Sequence, residues 1–212
     1  MLLIVLSIVI IIHEVGHFVT ARLFKIKISE FAFGIGPIIF KRKFKRTDTT
    51  YTLRAIPIGA YVTLNDDNDF TNTPIWQRII FTLAGGFVNI VIGLIICVVI
   101  KLDFIHMFTE SFYYIARGGN FIGPIVILYV TFTNLYDFLV FVSILSLEVG
   151  LLSVLPIPGL DGAKAMLLAI EGLRKKPVNP KVEGIISLAG LSLFISLLIM
   201  LTLNDIKNFI IL

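Results

Sequence analysis

Charged residues are scarce in this 212-residue sequence, at 15% against about 25% in ordinary soluble domains, while hydrophobic residues reach 57%. Cysteine is nearly absent: the single Cys97 excludes an internal disulfide, and its apolar neighbours predict a buried side chain rather than a reactive thiol. No lysine or arginine precedes Arg22, whereas a cleavable signal peptide starts with a positive region, so we expect the first apolar run to be retained. The net charge of +4 is too small to indicate a nucleic-acid partner.

Long apolar runs dominate what remains. A membrane-spanning helix needs roughly 20 mostly apolar residues, and four stretches reach that length. They are residues 1–24, 77–100, 122–155 and 184–203. The third exceeds one helix, so we expect a helix followed by a broken section. The sequence therefore predicts one α-helical polytopic membrane domain over residues 1–212, with about four transmembrane helices.

The basic residues predict the orientation of these spans. Fifteen of the eighteen lysines and arginines fall between residues 22 and 78 or between 164 and 181. Positive loops stay in the cytoplasm, so residues 25–76 and 163–183 are predicted there, with both termini outside.

The segment 26–62 is rich in β-branched and aromatic residues interrupted by glycine and proline, which predicts a membrane-associated β-hairpin or short strands. Such strands offer either an edge for strand addition by a substrate or a wall that only shapes a cavity. The acidic stretch 65–74 lacks EF-hand spacing, so we interpret it as a solvated loop.

The chemistry-bearing motif is His13-Glu14-Val15-Gly16-His17, near the end of the first span. Residues four apart share one helix face, so the two imidazoles can bind one zinc ion while the glutamate between them acts as general base. A chance histidine pair is the alternative, but ionisable residues within a span are costly and usually functional. His106 has no partner at ligand spacing and is interpreted as a surface residue.

Catalytic zinc usually has three protein ligands and one open position, so a third ligand is expected. The acidic candidates near membrane depth are Asp137, Glu148, Asp161 and Glu171. Asp161 follows two prolines that break any helix, and open backbone at membrane depth indicates a covered or water-filled cavity. A simple turn at the membrane surface is the alternative for this Asp-Gly pair.

Six motifs in order resemble the site-2 protease family, the zinc metalloproteases that cut within membranes. They are His13 to His17, Phe33 to Pro37, Ile56 to Val62, Ala84 to Asn89, Gly123 to Ile125 and Leu160 to Gly162. The resemblance implies zinc held by His13, His17 and Asp161, with Glu14 as catalytic residue. It also implies substrate contacts by a further set of residues: Gly34, Gly36, Pro37, Gly59, Asn89, Glu148 and Ser153.

Family resemblance further implies cleavage of single-span membrane proteins, such as anti-sigma factors or signal-peptide remnants, in a bacterial inner membrane with the active site near the cytoplasm. Three slots depart from the family pattern: Glu148 and Ser153 stand where asparagine is frequent, and Ala60 replaces a glycine. Many relatives carry a PDZ domain between the second and third spans. We expect none here, because only residues 90–122 separate the flanking motifs.

Two other functions fit a membrane protein with a metal motif. A non-catalytic homologue would bind membrane proteins without cutting them, although Glu14 and all three proposed ligands are present. A zinc or ion transporter would need ionisable residues spread along several spans, whereas here they cluster at one depth.

Overall fold

The computed structural model describes residues 2–44, 48–65, 70–101 and 134–209. Four helices in these ranges are long and apolar enough to cross a membrane. The first, second, third and last helices are α1 (Leu2–Leu23), α2 (Ile75–Val99), α3 (Leu135–Val154) and α5 (Pro180–Phe209). Two strands, β1 (Ile28–Lys43) and β2 (Thr50–Leu64), follow α1, and a shorter helix, α4 (Asp161–Arg174), precedes α5. The predicted fold class, a polytopic helical membrane protein with a β-hairpin after the first span, is confirmed.

Helix α2 lies at the centre and packs on α1, α3 and α4. Small residues allow the close approach: a β-carbon on Gly16 of α1 would lie 2.6 Å from the Ala84 carbonyl oxygen of α2. Within a membrane, hydrophobic burial does not drive helices together. Close backbone contacts of this kind supply the packing energy instead. Farther from the motif, Val5, Val9 and Val142 form a buried cluster that joins α1 to α3.

The third span ends where the prolines predict. Helix α3 stops at Val154, residues 155–160 are not helical, and α4 starts at Asp161. Pro156 and Pro158 lack the amide hydrogens that a helix needs, and Gly159 adopts a φ of 91°. Helix α4 is amphipathic, with Ala165 and Leu168 buried, and was not predicted from the sequence.

Strands β1 and β2 pair as an antiparallel hairpin, and each one bends. Residues 28–33 pair with 60–64, while residues 38–43 pair with 50–54, and the inner segment 30–33 also faces 50–53. The bend in β1 falls at Gly34 and Gly36, whose φ angles of 85° and 90° favour glycine. The bend in β2 lies by Gly59, at a φ of 81°.

The hairpin lies alongside α1 and reaches well back along it. The Ser7 hydroxyl donates a hydrogen bond of 2.8 Å to the Pro57 carbonyl oxygen. Ser7 lies six residues before His13, so the bent end of the sheet reaches about 9 Å past the motif along α1. Apolar side chains near this bend are exposed: Ile35, Ile39 and Ile56. The bend of the hairpin therefore lies beside the part of α1 that precedes the motif.

Helix α5 is nearly all exposed and attaches through Gly190, which approaches the backbone of Pro158 and Gly159. Several predictions fall outside the described residues: the surface position of His106, the motif at 123–125, the start of the third span and the acidic loop at 66–69.

Candidate metal centre

The two motif histidines point from one face of α1 toward a gap in α2. A β-carbon on Gly85 would lie 2.6 Å from the Nε2 atom of His13 and 2.5 Å from that of His17. Only glycine leaves room for both rings, because any larger side chain would occupy the space of the imidazoles. The small residue of α2 thus creates the pocket that the histidines fill.

Asp161 completes this cluster from a distant part of the chain. Its Oδ2 atom lies 2.9 Å from His13 Nε2 and 3.4 Å from His17 Nε2, and the two Nε2 atoms are 3.1 Å apart. The three ligand atoms therefore form a small triangle. Ligands about 2.0–2.1 Å from a tetrahedral zinc ion lie about 3.3 Å from each other. Two imidazole nitrogens and one carboxylate oxygen at these separations fit one zinc ion.

The charge environment of Asp161 favours its role as a metal ligand. Burial alone would raise the pKa of its carboxyl, but its contacts with the two imidazoles, that of His13 first, outweigh burial and hold the pKa well below its usual value. Asp161 is also the first residue of α4, where the helix dipole favours a negative charge. Both effects favour the ionised carboxylate, which is the form that coordinates a metal.

The outer nitrogen of His17 is held by the backbone. Its Nδ1 atom lies 2.8 Å from the Phe81 carbonyl oxygen, which can only accept, so Nδ1 carries the proton and donates. This leaves the lone pair of Nε2 for a metal, the usual arrangement for a ligating histidine. The buried Nδ1 atom of His13 has no hydrogen-bond partner among the described residues.

Glu14 lies beside the triangle in a cavity of about 500 Å³, lined also by His17, Asp161 and Val62. Val62, near the end of β2, lines this cavity together with Glu14. The end of β2 therefore lies near the only carboxylate of the motif and the side chains that could bind the metal. A water molecule in this cavity would lie between a base and a Lewis acid.

The other three acids considered as third ligand lie elsewhere. Asp137 is in the first turn of α3, where its backbone amide donates to the Asn134 side chain. Glu148 is exposed on α3. Glu171 accepts a hydrogen bond from Arg78. Within the ranges the structure covers, only the triangle groups three such ligand atoms.

None of the residues expected to contact substrate is among the described residues that line this cavity. Gly34, Gly36 and Gly59 shape the bends of the hairpin, with Pro37 beside them. Asn89 is fully buried in α2 and its side-chain atoms have no described partner, while Ser153 is buried against Gly86. Their substrate roles stay predictions.

Several cavity residues escaped the sequence analysis as functional positions. Arg78, Lys164 and Phe81 line it, and so does Glu171, which was weighed only as a metal ligand. Arg78 could have been identified from the sequence. It is an ionisable residue in the first turn of an apolar span, and such residues are usually functional.

Comparison with known proteins assigns the chain to a family. The profile of Peptidase family M50 matches residues 1–197. Zinc metalloprotease RasP of Shouchella clausii is 46% identical over 68 residues, which cover 32% of this chain and 16% of that protein. A candidate zinc metalloprotease of Fusobacterium nucleatum is 42% identical over 100 residues, covering 44% of this chain and 29% of the relative.

A third relative, probable protease eep of Enterococcus faecalis, is 46% identical over 67 residues, which cover 32% of this chain and 16% of that protein. The matched part is therefore less than a third of each of these relatives. The profile match runs through both the histidine motif and Asp161. This chain belongs to peptidase family M50, the site-2 protease family.

Proposed function

We propose that this protein is a zinc-dependent endopeptidase that cleaves peptide bonds in or near transmembrane segments of single-span membrane proteins. The observation that carries the proposal is the convergence of His13, His17 and Asp161 beside Glu14 in one cavity. The donor set is that of a catalytic zinc site, with three protein ligands and room for a fourth. The names of the relatives support zinc and proteolysis as the chemistry.

When bound, zinc supplies a Lewis acid that polarises the substrate carbonyl and makes water more acidic. Glu14 accepts the proton of the attacking water and then passes it to the leaving amine nitrogen. His17 stays in one tautomer because the Phe81 carbonyl accepts its Nδ1 proton.

The cavity explains how a peptide bond could be presented. Val62 and Leu64, at the end of β2, line the same cavity as Glu14 and Asp161. A substrate helix shields its amide bonds, so the substrate must become extended before attack. We propose that the extended segment lies along residues 60–64 as an added strand, with main-chain hydrogen bonds supplying its affinity.

The position of the motif also supports a proposed location. The motif lies near the end of α1 that precedes the basic hairpin, which supports an inner-membrane protein with its active site near the cytoplasm. Water then has a short path to the cavity. Anti-sigma factors and signal-peptide remnants are the substrates that the family resemblance suggests.

A cleavage assay tests this function. The protein purified in detergent is mixed with a single-helix reporter, and wild type is compared with Glu14→Gln and with the matched control Asp137→Asn. Glu14→Gln should lower the cleavage rate by about 10²–10⁴-fold because the proton acceptor is lost. It should keep its zinc, since Glu14 is not a ligand, and Asp137→Asn should behave as wild type.

Equal cleavage by wild type and Glu14→Gln would refute a protease mechanism. Zinc binding without cleavage in every variant would favour a non-catalytic homologue. Zinc flux into liposomes that is insensitive to Glu14→Gln would favour a transporter.

A further inference from the structure

An ion pair lies inside the protein, away from the triangle of metal-binding atoms. The Arg78 Nη1 atom of α2 donates to Glu171 Oε1 of α4 at 2.6 Å. The two side chains are only 7% and 15% exposed. The Arg78 guanidinium also lies over the Phe70 ring, 5.1 Å from its centroid, and its buried Nε atom has no described partner.

Such a pair contributes little net stability, because desolvating two charges offsets most of their attraction. It does, however, hold two elements in one geometry, since either charge alone would be strongly unfavourable where it is buried. Among the described ion pairs, the one between Lys43 and Asp48 shows the contrast, with side chains 58% and 80% exposed. The buried pair therefore calls for an explanation other than overall stability.

Helix α4 is the element that needs holding. Residues 155–160 separate it from α3, so no continuous ladder of helical hydrogen bonds transmits the orientation of α3 to α4. Asp161 is its first residue and Glu171 lies ten residues later, about 15 Å along the axis. Both line the same cavity. One end of α4 thus meets α1 at the imidazoles, and the other meets α2 at Arg78.

The same turn of α2 also holds one of the imidazoles. Arg78 precedes Phe81 by three residues, and the Phe81 carbonyl oxygen accepts from His17 Nδ1. The Phe81 ring lies 5.4 Å from the Phe70 ring, which itself stacks under Arg78. This turn of α2 therefore fixes His17 directly. Through Glu171 it also fixes the helix that carries Asp161.

We propose that Arg78 and Glu171 are positioning residues of the metal centre. Their ion pair locks α4 onto α2 in the register that brings the Asp161 carboxylate to His13 and His17. Neither side chain belongs to the group of three that could hold the metal, and Glu171 acts through Asp161. This proposal rests on the metal site proposed above.

Zinc affinity tests it, measured by competition with a chromophoric chelator on the full chain in detergent. Glu171→Gln and Arg78→Gln should each weaken zinc binding about 10–100-fold, the range seen when partners behind metal ligands are removed. The exchanged pair Arg78→Glu with Glu171→Arg should recover part of the loss. Asp48→Asn, which breaks the exposed ion pair instead, should leave affinity unchanged.

A second background separates positioning from general damage. In Asp161→Ala, where only the histidines remain as zinc ligands, Glu171→Gln should cause no further loss of affinity, because its effect passes through the missing carboxylate. If Glu171→Gln fails to fold, Glu171→Asp keeps the charge and shortens the reach. It should weaken zinc binding while its thermal unfolding in the presence of a chelator stays near that of wild type treated alike.

Wild-type affinity in Glu171→Gln or Glu171→Asp would overturn the positioning role alone. The same fold-loss from Glu171→Gln with and without Asp161 would also overturn it. A wild-type protein that binds no zinc would overturn the metal site itself and this role with it.

Discussion

Gly85 on α2 faces His13 on α1 so closely that a single methyl group could not be inserted between them. A β-carbon there would lie 2.6 Å from the His13 Nε2 atom, well inside van der Waals contact. The metal centre thus depends on the absence of a side chain at Gly85 of α2 as much as on the side chains of α1.

We predict that Gly85→Ala abolishes zinc binding while leaving the helix intact. The added methyl displaces both ligating nitrogens, whereas alanine itself favours a helix over glycine by about 0.5–1 kcal/mol. Zinc content measured by atomic absorption after purification should fall to background. Gly184→Ala is the control, since a β-carbon there meets nothing within 4 Å; zinc retained by both variants would contradict the packing described.

Removing the metal should destabilise the protein as well as inactivate it. A ligand present at about 100 times its dissociation constant stabilises the folded state by about 2.7 kcal/mol. Thermal unfolding in detergent should therefore shift downward after treatment with a chelator and recover on adding zinc. In Asp161→Ala the shift should be smaller, and an equal shift would argue against a carboxylate ligand.

The bends of the hairpin allow a matched pair of substitutions. Gly34 and Gly59 both have positive φ, so alanine at either costs about 1–2 kcal/mol of backbone strain. Only at Gly34 would the new β-carbon also clash, with the Ile56 carbonyl oxygen. Chemical denaturation should therefore show a larger loss of stability for Gly34→Ala than for Gly59→Ala. Equal losses would mean that the contact with Ile56 does not form.

The depth of the hairpin can be measured by thiol labelling. In a Cys97→Ala background, Ile56→Cys should resist a membrane-impermeant maleimide in inverted vesicles, because the bend lies beside Ser7 within α1. Asp48→Cys, at the opposite and exposed end, should label rapidly. Rapid labelling at both positions would place the whole hairpin in water.

Hydrogen bonding to the bend should contribute to stability. Ser7→Ala removes the bond to the Pro57 carbonyl and should cost about 1 kcal/mol, the usual net value for one hydrogen bond. The control is Ser192→Ala, whose hydroxyl bonds only within α5 at an exposed position. Equilibrium unfolding in mixed micelles would measure the difference between the two variants.

Periodicity and motif spacing predicted the spans, the hairpin and the histidine pair, because these depend on local sequence. The prolines before Asp161 likewise predicted where α3 ends. The residues alone made Asp161 a candidate third ligand but left a surface turn open, and the family resemblance strengthened the expectation that Asp161 approaches His13. Helix α4 was missed because its apolar stripe is short and is interrupted by charged residues such as Lys164 and Glu171, both of which line the cavity.

The partnership of Arg78 with Glu171 could not be foreseen, since the two are 93 residues apart and no local pattern links them. The shape of the hairpin could not be predicted from the sequence either. Glycines at 34, 36 and 59 indicate turns, but the contact between Ser7 and Pro57 depends on how the sheet docks on α1.

The imidazole of His13 and the carboxylate of Asp161 are 148 residues apart in the chain, and their junction closes a loop that contains α2 and α3. An ion held there would act as a cross-link, joining the start of the molecule to a segment that has no helical continuity with its predecessor. Metal binding and the packing of the helices would then be coupled, so that loss of the metal loosens the helix bundle. A cell that starves this protein of zinc would weaken its architecture along with its chemistry.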